Sequence, residues 1–202
     1  MIILINPPNP PGKISNKDMM AGLGQLYDRN GSMVPPIDIP YSAACLLEKK
    51  IPVRVIDCLG LHYDEKALCE EVRNIVSTEK SLIIAIRTSL PSYPHDIKVA
   101  QLLKEQTNVR TIMFGPYVAL NPREFIKHYF IDGIVVGEVE YAFVDMYLKG
   151  MEETKGIWFK NPNGAIIKNR AGKKISPFYN PKGPHLRYLF SQASHMNDIN
   201  HT

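Results

Sequence analysis

The stretch Val109 to Glu140, VRTIMFGPYVALNPREFIKHYFIDGIVVGEVE, decides the fold. It reads as an apolar strand (Arg110 to Phe114), a Gly-Pro turn and a helix opening near Asn121-Pro122. A second apolar strand (Gly133 to Val136) follows, then a Gly-Glu turn into another helix. Short Ile/Val-rich runs without alternation are the pattern of strands covered on both faces, and each is followed by a helical period. Two consecutive strand–helix units predict a parallel α/β sheet. Gly115 and Gly137 stand where a strand hands over to a helix, the edge at which open parallel sheets bind ligands. A glycine there admits close approach of a ligand to the backbone.

Working outward, the same unit repeats. IILIN (Ile2 to Asn6) is a strand, and the prolines of NPPNPPG end it because proline cannot donate to a ladder. From Pro7 to about Pro40 no period is evident, and a loop that long in a compact domain is functional or mobile. In a doubly wound sheet it leaves the first strand at the ligand-binding edge, where it reads either as a lid over a ligand or as a surface loop. PYSAACLLEKK is the first helix, VRVID (Val53 to Asp57) the second strand, and about Asp64 to Ser77 the second helix. LIIAI (Leu82 to Ile86) is the third strand. It ends in Thr88 and Ser89, whose hydroxyls lie at the carboxyl edge, and Pro94-His95-Asp96 opens the next helix. Asp57 ends the second strand as a ribose-binding acid does in dinucleotide folds, but the first turn lacks G-x-G-x-x-G.

After Gly150 the texture changes. TKGIWFKNPNGAIIKNR alternates around Asn-Pro-Asn-Gly, a hairpin signal. The expected organisation is an α/β domain over 1–150, a β-hairpin extension over 151–175 and a disordered linker or tail over 176–202.

Composition excludes several classes of function. The chain has 202 residues, 45% hydrophobic and 22% charged, which suits one globular core with a small appendage. A net charge of +4 without a clustered basic stripe argues against nucleic-acid binding. No window reaches the roughly 18 apolar residues of a membrane span, and Met1 runs straight into a strand, so no membrane association and a cytoplasmic location are expected. The three cysteines form no C-x-x-C pair. Cys45 and Cys69 read as buried small hydrophobes, and neither a disulfide framework nor a thiolate metal site is indicated. His95 has no second ligand at metal spacing and reads as a solvated or locally bonded residue. No nucleophile–base pair or convergent carboxylates appear, so this chain by itself is not read as catalytic.

The ordered set LINPPNPPG, PPIDIPYSAACLLEKK, VRVID, GPYVALNPREF and DGIVVGEVE resembles the N-terminal cobalamin-binding domain of cobalamin-dependent radical S-adenosylmethionine proteins, over about residues 1 to 150. The resemblance implies a flavodoxin-like (Rossmann-like) doubly wound five-stranded parallel sheet, order 2-1-3-4-5, carrying the C-terminal hairpin. It also implies a corrin over the carboxyl ends of the strands, with the nucleotide tail among the loops after the third, fourth and fifth. The cofactor-binding set is then Asn6, Pro7 and Pro8 after the first strand, and Thr88, Ser89, Leu90 and Tyr93 after the third. Gly115, Pro116 and Tyr117 follow the fourth strand, and Gly137 and Glu138 the fifth.

Two departures qualify the function. Related corrinoid carriers place D-x-H-x-x-G after the first strand, whereas Asn6-Pro7-Pro8 stands here and no histidine precedes His62. A cobalt–histidine bond of that kind is therefore not expected. The family's C-x-x-x-C-x-x-C cluster motif is missing, so an iron–sulfur cluster and S-adenosylmethionine are expected only if a radical domain is supplied in cis or in trans. The chain is read as a lone domain or as a fragment of a longer or split protein. The expected function is a cobalamin-binding module for methyl transfer or radical chemistry, the cobalt being the only metal. The alternative is a degenerate flavodoxin-like interaction domain that binds no corrinoid. A receiver domain is disfavoured because no acidic pair follows the first strand. A flavin mononucleotide site is disfavoured because prolines replace the N–H donors of a phosphate loop.

Overall fold

The computed structural model describes residues 1–28, 34–79 and 81–171. The expected tail over 176–202 and the end of the extension lie outside the described residues. Five parallel strands form the centre of the sheet: β1 (Ile2–Asn6), β4 (Val53–Asp57), β5 (Ile83–Arg87), β6 (Arg110–Phe114) and β7 (Gly133–Val135). Their order, β4-β1-β5-β6-β7, is the expected 2-1-3-4-5. β1 is an interior strand beside the edge strand β4, with Ile2 opposite Val53 on one side and Ile83 on the other. That position explains why Ile2, Ile3, Leu4 and Ile5 are all fully buried. Each such side chain contributes about 1.5–3 kcal/mol on leaving water.

Strand alternation sorts the core into two layers. Ile3 and Ile5, with Ile84, Ile86 and Met113, face α2 (Glu65–Thr78), α3 (Tyr93–Thr107), α4 (Pro116–Leu120) and α5 (Pro122–Ile126). Ile2 and Leu4, with Ala85, Ile112 and Phe114, face α1 (Asp38–Glu48) and α6 (Val139–Lys149). Helix ends follow local chemistry. Asp64 caps α2 by accepting from Ala67 N at 2.8 Å, and Asn108 ends α3 in the left-handed region. The helix expected to open near Asn121-Pro122 is α5, and the expected Gly-Pro turn is itself a short helix, α4, separated from α5 at Pro122, which lacks a backbone donor.

Two features go further than the expectation. The five parallel strands and the hairpin are present as expected, but the hairpin joins the same sheet and brings it to seven strands, because β8 (Ile157–Lys160) pairs antiparallel with β7, and β9 (Ile166–Lys168) with β8. Ile157 and Phe159 are buried among the α1/α6 layer, so the hairpin extends the core as well as the sheet. The long loop also has structure of its own. β2 (Lys13–Asn16) and β3 (Gln25–Asp28) form a separate two-stranded antiparallel ribbon.

Candidate functional site at the carboxyl edge

Each connection that leaves the carboxyl ends of the strands is shaped by one or two residues. At β6 that residue is Gly115, at φ +125°, where an added Cβ would lie 2.5 Å from the Thr88 carbonyl and against the Arg87 guanidinium. Only glycine fits both the backbone and the space. At β5, Thr88 N donates to Phe114 O at 3.0 Å and Ser89 O accepts from Tyr93 N at 2.9 Å, which turns the chain into α3.

The β1 loop closes over these turns. Its tight segment carries positive φ at Met20, Ala21, Gly22 and Gly24. A Cβ on Gly22 would come within 2.6 Å of Pro116, and one on Gly24 within 2.5 Å of Ser89. Leu90 N donates to Leu23 O at 2.8 Å. The loop is therefore packed directly on the connections after β5 and β6.

Two buried polar clusters hold it there. In the first, Lys17 Nζ donates to Asp96 Oδ2 at 2.7 Å and to Ser92 Oγ at 3.0 Å. Thr88 Oγ1 and Ser92 Oγ also donate to Asp96 Oδ2, at 2.5 and 2.6 Å. Ser92 has one proton and gives it to Asp96, so in the 2.8 Å contact between Ser89 Oγ and Ser92 Oγ the donor is Ser89. Burial pulls the Lys17 ammonium pKa down, and Asp96 opposes that shift.

The second cluster lies on the opposite face of the sheet, where alternation after Ile83 and Ala85 directs Arg87. Its guanidinium, 1% exposed, pairs with Asp38 Oδ2 at 2.5 Å and Asp18 Oδ1 at 3.1 Å. It also donates to the carbonyls of Lys17 and Thr88. Burial pushes the Asp38 carboxyl up, against the pull of Arg87. Glu140, in the first turn of α6, is raised first by burial and then by Glu138 and Asp38.

The expected site residues divide accordingly. Thr88, Ser89 and Gly115 meet at the edge, but they are buried and occupied by protein groups. Leu90 is 47% exposed, and Gly137 and Glu138 are exposed. Tyr93 and Tyr117 are half-buried and pack at 5.2 Å, both against Phe125, while Pro116 is half-buried under Gly22. Asn6 is turned toward β4, donating from Nδ2 to Asp57 Oδ1 at 2.8 Å. Pro7 and Pro8 are buried, and Pro8 borders a cleft of about 550 Å³ shared with Cys58, His62 and Tyr63. A larger cleft of about 870 Å³ lies at the opposite edge, around Met1, Ser81 and Arg110, away from all these residues.

Lys17, Asp18, Asp38, Arg87, Ser92 and Asp96 were not anticipated. Only Arg87 carried a signal, as a charge at the end of an otherwise apolar strand. All three cysteines are free and buried, and His95 Nε2 lies 3.3 Å from Glu65. Among the described residues no cluster of His, Cys, Asp or Glu is suited to a metal, and no helix is long and apolar enough to cross a membrane.

No protein-family model matches this chain, and no curated protein matches it by sequence. Solved structures do. The cobalamin-dependent S-adenosylmethionine radical enzyme OxsB, solved with aqua-cobalamin and S-adenosylmethionine bound, matches with a TM-score of 0.65 at 15% identity. Its fold is shared with part of a cobalamin-dependent radical enzyme. The match covers 96% of this chain and 25% of OxsB. The radical S-adenosylmethionine methyltransferase TsrM from Kitasatospora setae, solved with tryptophan substrate and a S-adenosylmethionine analogue, matches at 0.61 and 13% identity, over 84% of this chain and 30% of TsrM. TsrM with cobalamin and a 4Fe-4S cluster matches at 0.61 and 14%, over 91% and 31%. The chain thus spans between a quarter and a third of these enzymes, and at such identities the likeness is one of fold. The likeness expected from the ordered motifs is found at that level.

Proposed function

We propose that this chain is a corrinoid-binding module whose ligand lies at the carboxyl edge of the sheet, working with a radical S-adenosylmethionine domain supplied in cis or in trans. The observation that carries the reading is the match of nearly the whole chain to part of an enzyme solved with aqua-cobalamin bound. The edge supports it in part. Leu90, Tyr93, Pro116, Tyr117, Gly137 and Glu138 offer apolar and backbone surface suited to the rim of a large ring. Ser89 is open to a ligand only once Gly24 has left it, whereas the Thr88 hydroxyl is held by Asp96 and Gly115 lies against Arg87 and the Thr88 carbonyl. When bound, a corrinoid supplies alkyl-transfer or radical chemistry at cobalt, and the chain contributes binding and orientation.

The test is a mixture of the purified protein with hydroxocobalamin followed by desalting. Visible absorbance that travels with the protein at a defined stoichiometry is the expected result, and colourless protein at saturating cofactor removes the reading. With Asn6-Pro7-Pro8 after β1, the cob(II) form is expected to show no superhyperfine splitting from a protein imidazole. Splitting abolished by His62→Ala or His95→Ala would contradict that expectation.

A second reading is favoured by one observation. The Thr88 and Ser89 hydroxyls are spent inside the Lys17–Ser92–Asp96 cluster, as in an interaction domain that keeps the fold without a corrinoid. Colourless protein in the same experiment supports it.

A further inference from the structure

We propose that residues 17–24 are a self-plug of the carboxyl edge, and that the Asp18 carboxylate on Arg87 holds the place of a ligand phosphodiester. This rests on the corrinoid reading above. The plug fills the edge by backbone: Gly22 lies on Pro116, Gly24 on Ser89, and the Leu23 carbonyl takes the Leu90 amide. A larger residue at position 22 or 24 would collide, so the segment is shaped to these turns.

The electrostatics point to what replaces it. Arg87 is 1% exposed and permanently charged, with Asp38 on one side and Asp18 on the other. Asp38 belongs to α1, which is packed into the core, whereas Asp18 belongs to the loop. When residues 17–24 lift away, Asp18 leaves Arg87 facing the edge beside Gly115. A phosphodiester carries the same single negative charge, and its two free oxygens can take the two Nη2 protons that Asp18 Oδ1 and the Lys17 carbonyl would leave. Exchange of Asp18 for a phosphodiester therefore keeps an anion on the buried arginine, whereas departure of Asp18 alone weakens its compensation; the same motion parts Lys17 from Asp96, a cost that ligand binding has to exceed. Cobalamin carries such a phosphodiester in its nucleotide tail, and cobinamide has the corrin without it.

Asp18→Asn separates the charge from the fold. Asparagine keeps an oxygen to accept from Ile37 N while losing the ion pair. Association of hydroxocobalamin with Asp18→Asn is expected to be faster than with the parent chain by about tenfold or more. Hydrogen exchange in the peptide spanning 17–24, where Gly22 N bonds Asp18 O and Gly24 N bonds Met19 O, is expected to quicken when the parent chain binds hydroxocobalamin. Cobinamide is expected to bind the parent chain at least about tenfold more weakly than hydroxocobalamin. Slower exchange on binding would mean that the segment closes over the ligand, and would overturn the plug. So would faster exchange in Asp18→Asn with an unchanged association rate. Equal affinity for the two corrinoids would overturn the phosphodiester exchange while leaving the module intact. Failure of both chains to retain either corrinoid would remove the underlying reading as well.

Discussion

The connections after β5 and β7 leave the same edge of one sheet and end in opposite conditions. Thr88 and Ser89 are fully buried and every hydroxyl is committed to a protein partner. Gly137 and Glu138 stand in solvent. The difference has two sources: Ser92 and Asp96 at the start of α3 turn back onto the first connection, and the β1 loop covers it with Lys17 and Gly24. Polar residues at a ligand-binding edge are thus not free for a ligand by position alone. What else in the chain can reach them decides.

The largest test of this contrast is Asp96→Ala. It strands the Lys17 ammonium in a buried site and removes the acceptor for Thr88 and Ser92, so a loss of about 3–5 kcal/mol is expected in urea unfolding. A loss under about 1 kcal/mol would mean that the closed connection is not held by this pair. Gly115→Ala comes next. Its positive φ and its contact with Thr88 and Arg87 lead to an expected cost of about 2–4 kcal/mol. Gly137→Ala, on the open connection and outside the positive-φ region, should stay within about 0.5 kcal/mol. Equal costs for the two glycines would erase the distinction between the halves.

A small, pH-dependent effect concerns Glu140, which adjoins both halves through Asp38 and Glu138. Its carboxyl is raised in the fold, so between the ordinary glutamate value and the raised one the native state holds more protons than the unfolded chain. Stability therefore falls as pH rises through that window. Glu140→Gln is expected to gain up to about 1 kcal/mol at neutral pH and to lose less stability as pH rises above the ordinary glutamate value. Identical pH slopes for the two proteins would contradict it.

The parallel core could be read because IILIN, VRVID, LIIAI, RTIMF and GIVV are each a local apolar run followed by a helical period. Their order came from the resemblance, since no local signal states which strands pair. The hairpin was evident at Asn161-Pro162-Asn163-Gly164, but its docking on β7 depends on Ile157 and Phe159 meeting the α1/α6 layer, a long-range event. β2 and β3 went unseen because KISN and QLYD are too short and polar to show a period. At the site, the edge position of Thr88, Ser89, Gly115 and Gly137 was legible. The occupancy of the first three was not, because Thr88 meets Asp96 and Ser89 meets Ser92 only through the shape of the turn into α3, and Gly115 meets Arg87 from the neighbouring strand.

The interior place of β1 has a consequence for synthesis. This apolar strand is made before both of its partners, one of which begins at Val53 and the other at Ile83. At about 5–20 residues per second, Ile2 to Ile5 wait roughly 4–16 seconds for the second neighbour to be made. During that interval the strand is a natural client for chaperones that bind short aliphatic segments, and substitutions that delay β5 lengthen its exposure without altering the finished fold.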